Sequence, residues 1–565
     1  MFAVIRRAGE TRVAGPPRPA GNGANPVIGD EMEEAVHRRN FLKWGAAAGA
    51  ASLLGTGGWL RGESADAAGQ SAKEFEEQSS FRSDDRVLEA TWKAAIAALA
   101  GNVVTLPGYR KPVLTEGSVY HGVWLECAPQ EGLVYSRFRP EIARNNHTVF
   151  FDLQRADGYL PCAVKTDGVE HSQLQLVVPI AATAYELAQK TGDEQLMEMA
   201  YNAWSRYDAF LMKYRNTRGT GLIEAFCTYD TGQDNSPRWK GIPRQCLNKD
   251  ARWCPKAPGM PRLCPDLSAS VYGGRMANAA MARAMGKDNE AAKWEESAHH
   301  IGRLIMERLY CEPDGAFYDV DTENHFVKIL SVAIPRVLGE HVVDQKTFEH
   351  VYTMQMHNPK AFWAPYPLPS IALDDPEFVR PIPRNSWGGA AQALTALRAT
   401  RWMEYYGKPA DLAWMMSRWI EAITRHIEFR QQIDPLTGDF TEGTPGGYSP
   451  AALVFVDYLW RLHGVRETGE TLEWNVRAPQ GTQAEFSLKV GQGRARLGYG
   501  KGAAELTLDG KTVATVRGTG RLITDRAGRL LAGVGTEEKP VNLEMTLPGA
   551  KSRIMQLPPN QRVAV

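Results

Sequence analysis

Residues 173–190, QLQLVVPIAATAYELAQK, break at Thr191-Gly192-Asp193 and resume with Leu196, Ala200, Ala203, Trp204, Tyr207, Phe210 and Leu211. Apolar residues three and four apart lay one stripe along one face of a helix. A glycine at the break supplies the positive φ that closes a helix C-terminus. The stretch therefore predicts two amphipathic helices joined by a tight turn. The plan recurs with a break at Gly286-Lys287-Asp288 and a closing turn at Pro313-Asp314-Gly315, then again with Gly407-Lys408-Pro409 and Asp434-Pro435-Leu436-Thr437-Gly438. A helical hairpin cannot bury its stripe alone, so successive copies must stack, and enough of them close into a double ring. The expected fold is mainly α, an (α/α)6 toroid over residues 80–465. Its outer-to-inner loops would gather around a central pocket and carry the chemistry.

Beyond residue 465 the texture changes to short alternating runs, 472–476, 484–488, 504–508 and 543–547, separated by Gly and Asp-Gly turns. Alternation of period two with such turns predicts strands, so residues 466–565 read as a β-sandwich accessory domain. At the other end, His37-Arg38-Arg39-Asn40-Phe41-Leu42-Lys43 precedes a short Gly/Ala-rich apolar run from Trp44 to Leu60 and then Ser64-Ala65-Asp66-Ala67. A basic segment, a weak apolar segment and a small-residue cleavage site make a secretory signal, and the arginine pair resembles a twin-arginine signal. The run is short and glycine-interrupted for a spanning helix. Residues 1–79 are accordingly read as an N-terminal extension, signal and linker, with Met32 a candidate true start. The expected destination is the periplasm or the medium, with no stable membrane anchor after cleavage.

Lys and Arg together number 65, as do Asp and Glu, so nothing steers this chain toward nucleic acid. Fifteen Trp and 19 Tyr supply flat apolar faces of the kind that stack on sugar rings. Of the seven cysteines, Cys246, Cys254 and Cys264 share one Pro- and Arg-rich insertion, where a disulfide staple is expected in an oxidising compartment. No C-x-x-C or His-x-x-x-His spacing accompanies them, so neither metal nor cofactor enters the reading.

Cleaving an acetal requires an acid to protonate the leaving oxygen and a second carboxylate as base or nucleophile. The richest loop is Glu224 to Trp239, where Glu224, Asp230 and Asp234 stand with Tyr229, Arg238 and Trp239. Within it, Ser236 and Pro237 also read as an N-cap and first helical residue, which would hold Asp234 rigidly. Gly232-Gln233-Asp234-Asn235-Ser236-Pro237-Arg238-Trp239 resembles the general-acid loop of inverting six-hairpin glycosidases: glycoside hydrolase families 63 and 37 and the mannosylglycerate hydrolases. The resemblance implies that Asp234 is the acid and that Tyr229, Arg238 and Trp239 border the substrate. It extends to Pro265-Asp266-Leu267-Ser268-Ala269 and to Arg384-Asn385-Ser386-Trp387-Gly388, where Arg384 would bind hydroxyls or a carboxylate and Trp387 would stack. His171 and Gln173, at the entrance of the first hairpin, suit hydroxyl recognition.

One position departs from the pattern. Relatives place the base Glu three residues before the Asp or Asn of the Asp-Pro-x-Thr-Gly turn; here that residue is Gln431, three before Asp434. An amide cannot accept the proton usefully. The nearest substitutes are Glu442, on the Gly-rich loop that follows, and Asp434 itself; Glu442 is the expected replacement base, and Gln431 is left as a substrate-binding group. The resulting reading is an exported glycoside hydrolase acting on an oligo- or polysaccharide. The alternatives are a lyase or isomerase on the same toroid, built from Tyr229, His171 and Arg384, and a carbohydrate-binding protein without catalysis.

Overall fold

The computed structural model describes residues 75–441, 446–479 and 483–565. The signal and most of the N-terminal extension lie outside the described residues, as does Glu442. The described residues all fall within one compact unit.

The helices run as α1 (Arg86–Gly101), α2 (Ala128–Tyr135), α3 (Pro140–Asp152), α4 (Ile180–Thr191), α5 (Glu194–Tyr214) and α6 (Pro265–Ala284). They continue as α7 (Asp288–Arg308), α8 (Ala333–Gly339), α9 (Gln345–Val351), α10 (Ala393–Tyr405), α11 (Pro409–Thr424) and α12 (Ser449–His463). The three expected breaks fall between α4 and α5, α6 and α7, and α10 and α11, with Gly192, Gly286 and Gly407 at φ of 68°, 73° and 71°. Past the first break, the Asp193 carboxylate caps α5 by accepting from Leu196 N at 2.9 Å. The first helix starts later than its apolar pattern suggests, at Ile180 rather than Gln173. The reason is local: Leu174 N donates to the Asp230 carboxylate at 2.7 Å and Leu176 N to the Asp230 carbonyl at 3.0 Å. Those amides are committed to a distant loop instead of a helical turn.

Packing runs in a cycle. Helix α2 lies against α4, α4 against α6, α6 against α8, α8 against α10, α10 against α12, and α12 against α2 again. Helices α3, α5, α7, α11 and α1 pack as companions on α2, α4, α6, α10 and α12. A Cβ added at Gly274 of α6 would lie 1.8 Å from the Trp204 ring of α5, so glycine there admits the largest side chain of the neighbouring helix. The segments that enter α2, α4, α6, α10 and α12 are the ones rich in site candidates.

After α12 the chain builds two antiparallel sheets. One orders Val465–Thr468, Thr471–Val476, Gly520–Asp525, Leu530–Val534 and Arg562–Ala564. The other begins with Ser79–Ser83, which pairs with Ala484–Val490 in a register that sets Phe81 opposite Phe486. Gly520 and Gly533 of the first sheet lie where a Cβ would strike Leu557 of the second, so the faces pack closely. The strand Ser79–Ser83 thus belongs to the C-terminal sheet although it precedes the helices of the cycle. The helical and β parts are pinned together by Trp460, whose Nε1 donates to Ser79 Oγ at 3.0 Å and whose ring meets Trp92 and Phe486. Arg521 adds a fork onto Glu404, at the end of α10, at 2.8 and 2.9 Å.

Candidate active site

The loop from Glu224 to Trp239 is organised around Asp230. Its carboxylate accepts from Phe226 N at 2.7 Å, Leu174 N at 2.7 Å and the Arg215 guanidinium at 2.5 and 3.1 Å. Arg215, itself fully buried, also donates to the carbonyls of Ala251 and Glu224. Asp230 therefore has its lone pairs filled and serves to hold the loop.

Two residues later, Gly232 turns the backbone at φ 61°, and a Cβ there would fall 1.4 Å from a carboxylate oxygen of Glu126. Only glycine lets the loop pass over that buried carboxylate. The next turn places Asp234, which is half-buried. Its Oδ2 accepts from Asn385 Nδ2 at 2.9 Å, and its carbonyl accepts from Trp387 N at 3.1 Å. Asn235 returns a bond from Nδ2 to the Asn385 carbonyl at 3.0 Å. Ser236 caps the following turn as expected, accepting from Arg238 N, but the turn is a single 3-10 turn over Pro237–Trp239. Burial drives the Asp234 carboxyl up to about 7; Asn385 opposes the shift, the Glu126 charge adds to it, and Arg244 opposes it. A carboxyl that keeps its proton near neutral pH is the state a general acid needs.

Gln431 is tied to Asp234 through one side chain. Tyr120 OH donates to Gln431 Oε1 at 2.9 Å, and Gln431 Nε2 donates to Asn385 Oδ1 at 2.8 Å. Asn385 Nδ2 then donates to Asp234. The chain of donors points one way, from phenol to carboxylate. Gln432 fastens the walls: its Oε1 accepts from Ser386 N and Gln392 Nε2, both at 2.9 Å, while its Nε2 donates to Thr441 Oγ1 at 2.5 Å.

Two carboxylates not singled out from the sequence share this neighbourhood. Glu116 accepts from Tyr448 OH at 2.5 Å, and burial, then the charges of Glu131 and Glu126, push its carboxyl well up. Glu126 is also raised by burial, with Arg398 and Arg336 opposing. Tyr120 lies edge-on to Trp124 at 5.8 Å and tilted to Tyr448 at 6.0 Å, so three aromatic rings border this cluster. The stretch from Tyr120 to Cys127 contains Tyr120, Trp124 and Glu126, and its mix of aromatic and polar residues before a helix was the available signal.

Several expected substrate contacts are structural instead. Arg238 is buried between two aspartates, with Nη2 at 2.7 Å from Asp266 and 2.6 Å from Asp319, and Nε at 2.7 Å from Asp319. Its donors are consumed, and Asp266 is further paired with Arg336 at 3.1 Å. Trp239 is buried, its Nε1 donating to Thr231 Oγ1 at 3.1 Å. Trp387 is 2% exposed and lies under the Arg336 guanidinium, so neither ring offers a face to a sugar. Gln173 is buried and bonds to Ser172 and Gln175. His171 leans on Tyr159 at 5.3 Å, its pKa lowered by burial. Tyr229 packs against the cluster of Phe226, Cys227 and Cys246. Arg384 is exposed and near enough for its charge to act on the Tyr120 phenol.

Residues 132–449 match the model of the mannosylglycerate hydrolase MGH1-like glycoside hydrolase domain, and residues 35–55 match the twin-arginine translocation signal sequence. The GH63 mannosylglycerate hydrolase from Thermus thermophilus, solved with glucose, superposes with a TM-score of 0.53 at 18% identity, over 65% of this chain and 99% of that one. An uncharacterized conserved protein from the same organism gives 0.54 at 19% identity, over 65% of this chain and 100% of that one. A sialidase gives 0.60 at 16% identity over 81% of this chain, which spans 42% of the sialidase. Likeness at these identities shows the fold. No curated protein sequence matches.

Proposed function

This chain belongs to the mannosylglycerate hydrolase MGH1-like glycoside hydrolase family, and from that premise we propose an inverting hydrolysis of an oligo- or polysaccharide with Asp234 as general acid. The chain is an exported glycosidase. Reading the helical part as an (α/α)6 toroid, residues 80–465, with an accessory β-sandwich from residue 466, is supported by the cyclic packing of α2, α4, α6, α8, α10 and α12. The loops entering the inner helices then meet at one end, which is where Asp234, Asn385, Gln431 and Tyr120 come together.

The observation that carries the reading is Asp234 itself: half-buried, protonated up to about 7, and held by one directed bond from Asn385. In the proposed step Asp234 gives its proton to the glycosidic oxygen as the bond to the anomeric carbon breaks. A base takes a proton from water attacking the opposite face, and the product has inverted configuration. Glu442 is assigned as that base. Of the described residues on either side of it, Thr441 accepts from Gln432, and the Gly447 carbonyl accepts from Ser118 N at 3.1 Å and Asn102 Nδ2 at 2.8 Å. Glu116 and Glu126 are buried nearby, with Glu126 under Gly232 and the Glu116 charge acting on Tyr120. Arg384, exposed and close enough for its charge to act on Tyr120, would meet a negatively charged leaving group such as the D-glycerate bound in one structure of the Thermus thermophilus enzyme.

The test is a glycoside panel that includes mannosylglycerate, with the first-formed anomer read by NMR. Inversion, loss of turnover in Glu442→Gln, and retained turnover in Glu126→Gln support the assignment. A retained anomer, an unsaturated product, or a fully active Glu442→Gln refutes it.

A further inference from the structure

We propose that Cys227 and Cys246 form a disulfide in the exported protein, closing a covalent loop around Asp234. Their sulfurs are 3.5 Å apart, and both side chains are buried. The two backbones run side by side at this point: Thr228 N donates to the Pro243 carbonyl and Tyr229 N to the Arg244 carbonyl, both at 3.0 Å. The sulfurs need to approach by about 1.5 Å to reach bonding distance. The pairing differs from the staple expected within the insertion, because Cys227 lies outside it.

The same cysteines approach Asp230 in an arrangement that suits a metal ion, as do Cys264, Asp266 and Asp319. Each cluster already holds a fixed cation. Arg215 Nη2 lies 3.2 Å from Cys246 Sγ while its fork grips Asp230, and Arg238 Nη2 lies 3.1 Å from Cys264 Sγ while gripping Asp266 and Asp319. A guanidinium in that place repels a metal ion, which favours oxidation of the first cluster over metallation. The second cluster has one sulfur and stays a thiol.

Export takes the chain to a compartment where disulfides persist. The oxidant is an external disulfide, from a small thiol or an oxidoreductase. One cysteine thiolate attacks it and expels a thiolate; the second cysteine, deprotonated in turn, displaces the other thiolate from the mixed disulfide. Two cysteine thiols and one external disulfide thus become one internal disulfide and two external thiols, so electrons and protons balance. Because both sulfurs are buried, the exchange proceeds through local opening of the insertion. The bond then ties the loop's start and the insertion to each other on either side of Asp234.

The experiment uses full-length protein exported through its own signal, alkylated at lysis and digested with trypsin without reduction. Cleavage at Arg238, Lys240 and Arg244 separates the two cysteines, so a disulfide leaves their peptides joined. The expected result is a Cys227–Cys246 linked pair, with Cys127, Cys162, Cys254, Cys264 and Cys311 alkylated. Recovery of both peptides alkylated, or linkage through Cys254, overturns the proposal. Thermal melts with and without reductant supply the second readout: a Tm several degrees lower in reductant for the wild type, and no reductant effect in Cys227→Ser/Cys246→Ser. An equal reductant effect in that double variant also overturns it.

Discussion

Asp230 and Asp234 stand four residues apart on one loop, with the same side chain and opposite surroundings. Asp230 is fully buried yet receives backbone amides and a two-pronged guanidinium. Asp234 is half-buried and receives one amide hydrogen from Asn385. The difference shows that burial alone does not mark the reactive carboxylate. What marks it is burial without enough donors, which leaves the proton as the most favourable way to remove a charge from a poorly solvating site.

The comparison breaks most sharply by exchanging each aspartate for asparagine. Asp234→Asn should lower kcat by about 10² to 10⁴, the range for a lost general acid, with folding intact. Stability should move the other way, and the sign follows from its raised carboxyl. Between the ordinary carboxylate range near 4 and about 7, the folded state holds a proton that the unfolded state has released. Stability from this group is therefore full below that window and lost as pH rises through it. Melts at pH 8 should show Asp234→Asn at or above wild type, and melts at pH 4 should show no gain. A large destabilisation at pH 8 would place Asp234 with Asp230 as a loop-holding residue.

Asp230→Asn should do the reverse. It leaves the buried Arg215 charge without its partner, which costs about 3 to 5 kcal/mol, read by denaturant unfolding. Activity per folded molecule should fall less than in Asp234→Asn. Replacing Arg215 and Asp230 together with apolar residues should recover part of the loss, because neither charge is then left alone.

The contrast between the two aspartates was partly legible in the sequence. The loop is contiguous and its Gly-x-Asp-x-Ser-Pro-Arg-Trp pattern is local, so Asp234 stood out. The hairpin breaks were legible for the same reason: Gly192, Gly286 and Gly407 announce a positive φ in place. The strand Ser79–Ser83 was not, because its partner lies some four hundred residues along the chain. Arg238, Trp239 and Trp387 were misread because cationic and aromatic side chains serve sugar binding and core packing equally well. Their use is decided by Thr231 on the same loop and by Asp266, Asp319 and Arg336, which arrive from other segments. The bonds that link Tyr120, Gln431 and Asn385 to Asp234 join four distant segments, and no local pattern encodes them.

That chain of bonds gives the finer predictions. Asn385→Ala removes the one donor that favours the charged form of Asp234. Activity requires the protonated form, so the alkaline limb of the pH–rate profile should begin near 7 in the wild type and move upward by about one unit, the scale of a hydrogen bond to a charged group. A downward shift would mean that Asn385 favours the protonated form instead.

Tyr120→Phe should move the same limb the same way, but by only about a few tenths of a unit. The phenol does not touch Asp234; it donates to Gln431, which orients Asn385, so its influence passes through two neutral amides and weakens at each. Each amide has two faces, and Tyr120 fixes which one Gln431 turns to Asn385: with its oxygen engaged by the phenol, only its NH2 remains to donate. In Tyr120→Phe the Gln431 amide is free to flip; its oxygen then faces Asn385 Oδ1, so Asn385 must flip as well, which turns its NH2 toward Gln431 in competition with Asp234. The shift therefore measures how often that competition occurs. In Tyr120→Phe/Asn385→Ala it should vanish into the effect of Asn385→Ala alone, since the amide that donates to Asp234 is already gone. Additive shifts in the double variant would mean that Tyr120 acts on Asp234 directly through the pocket.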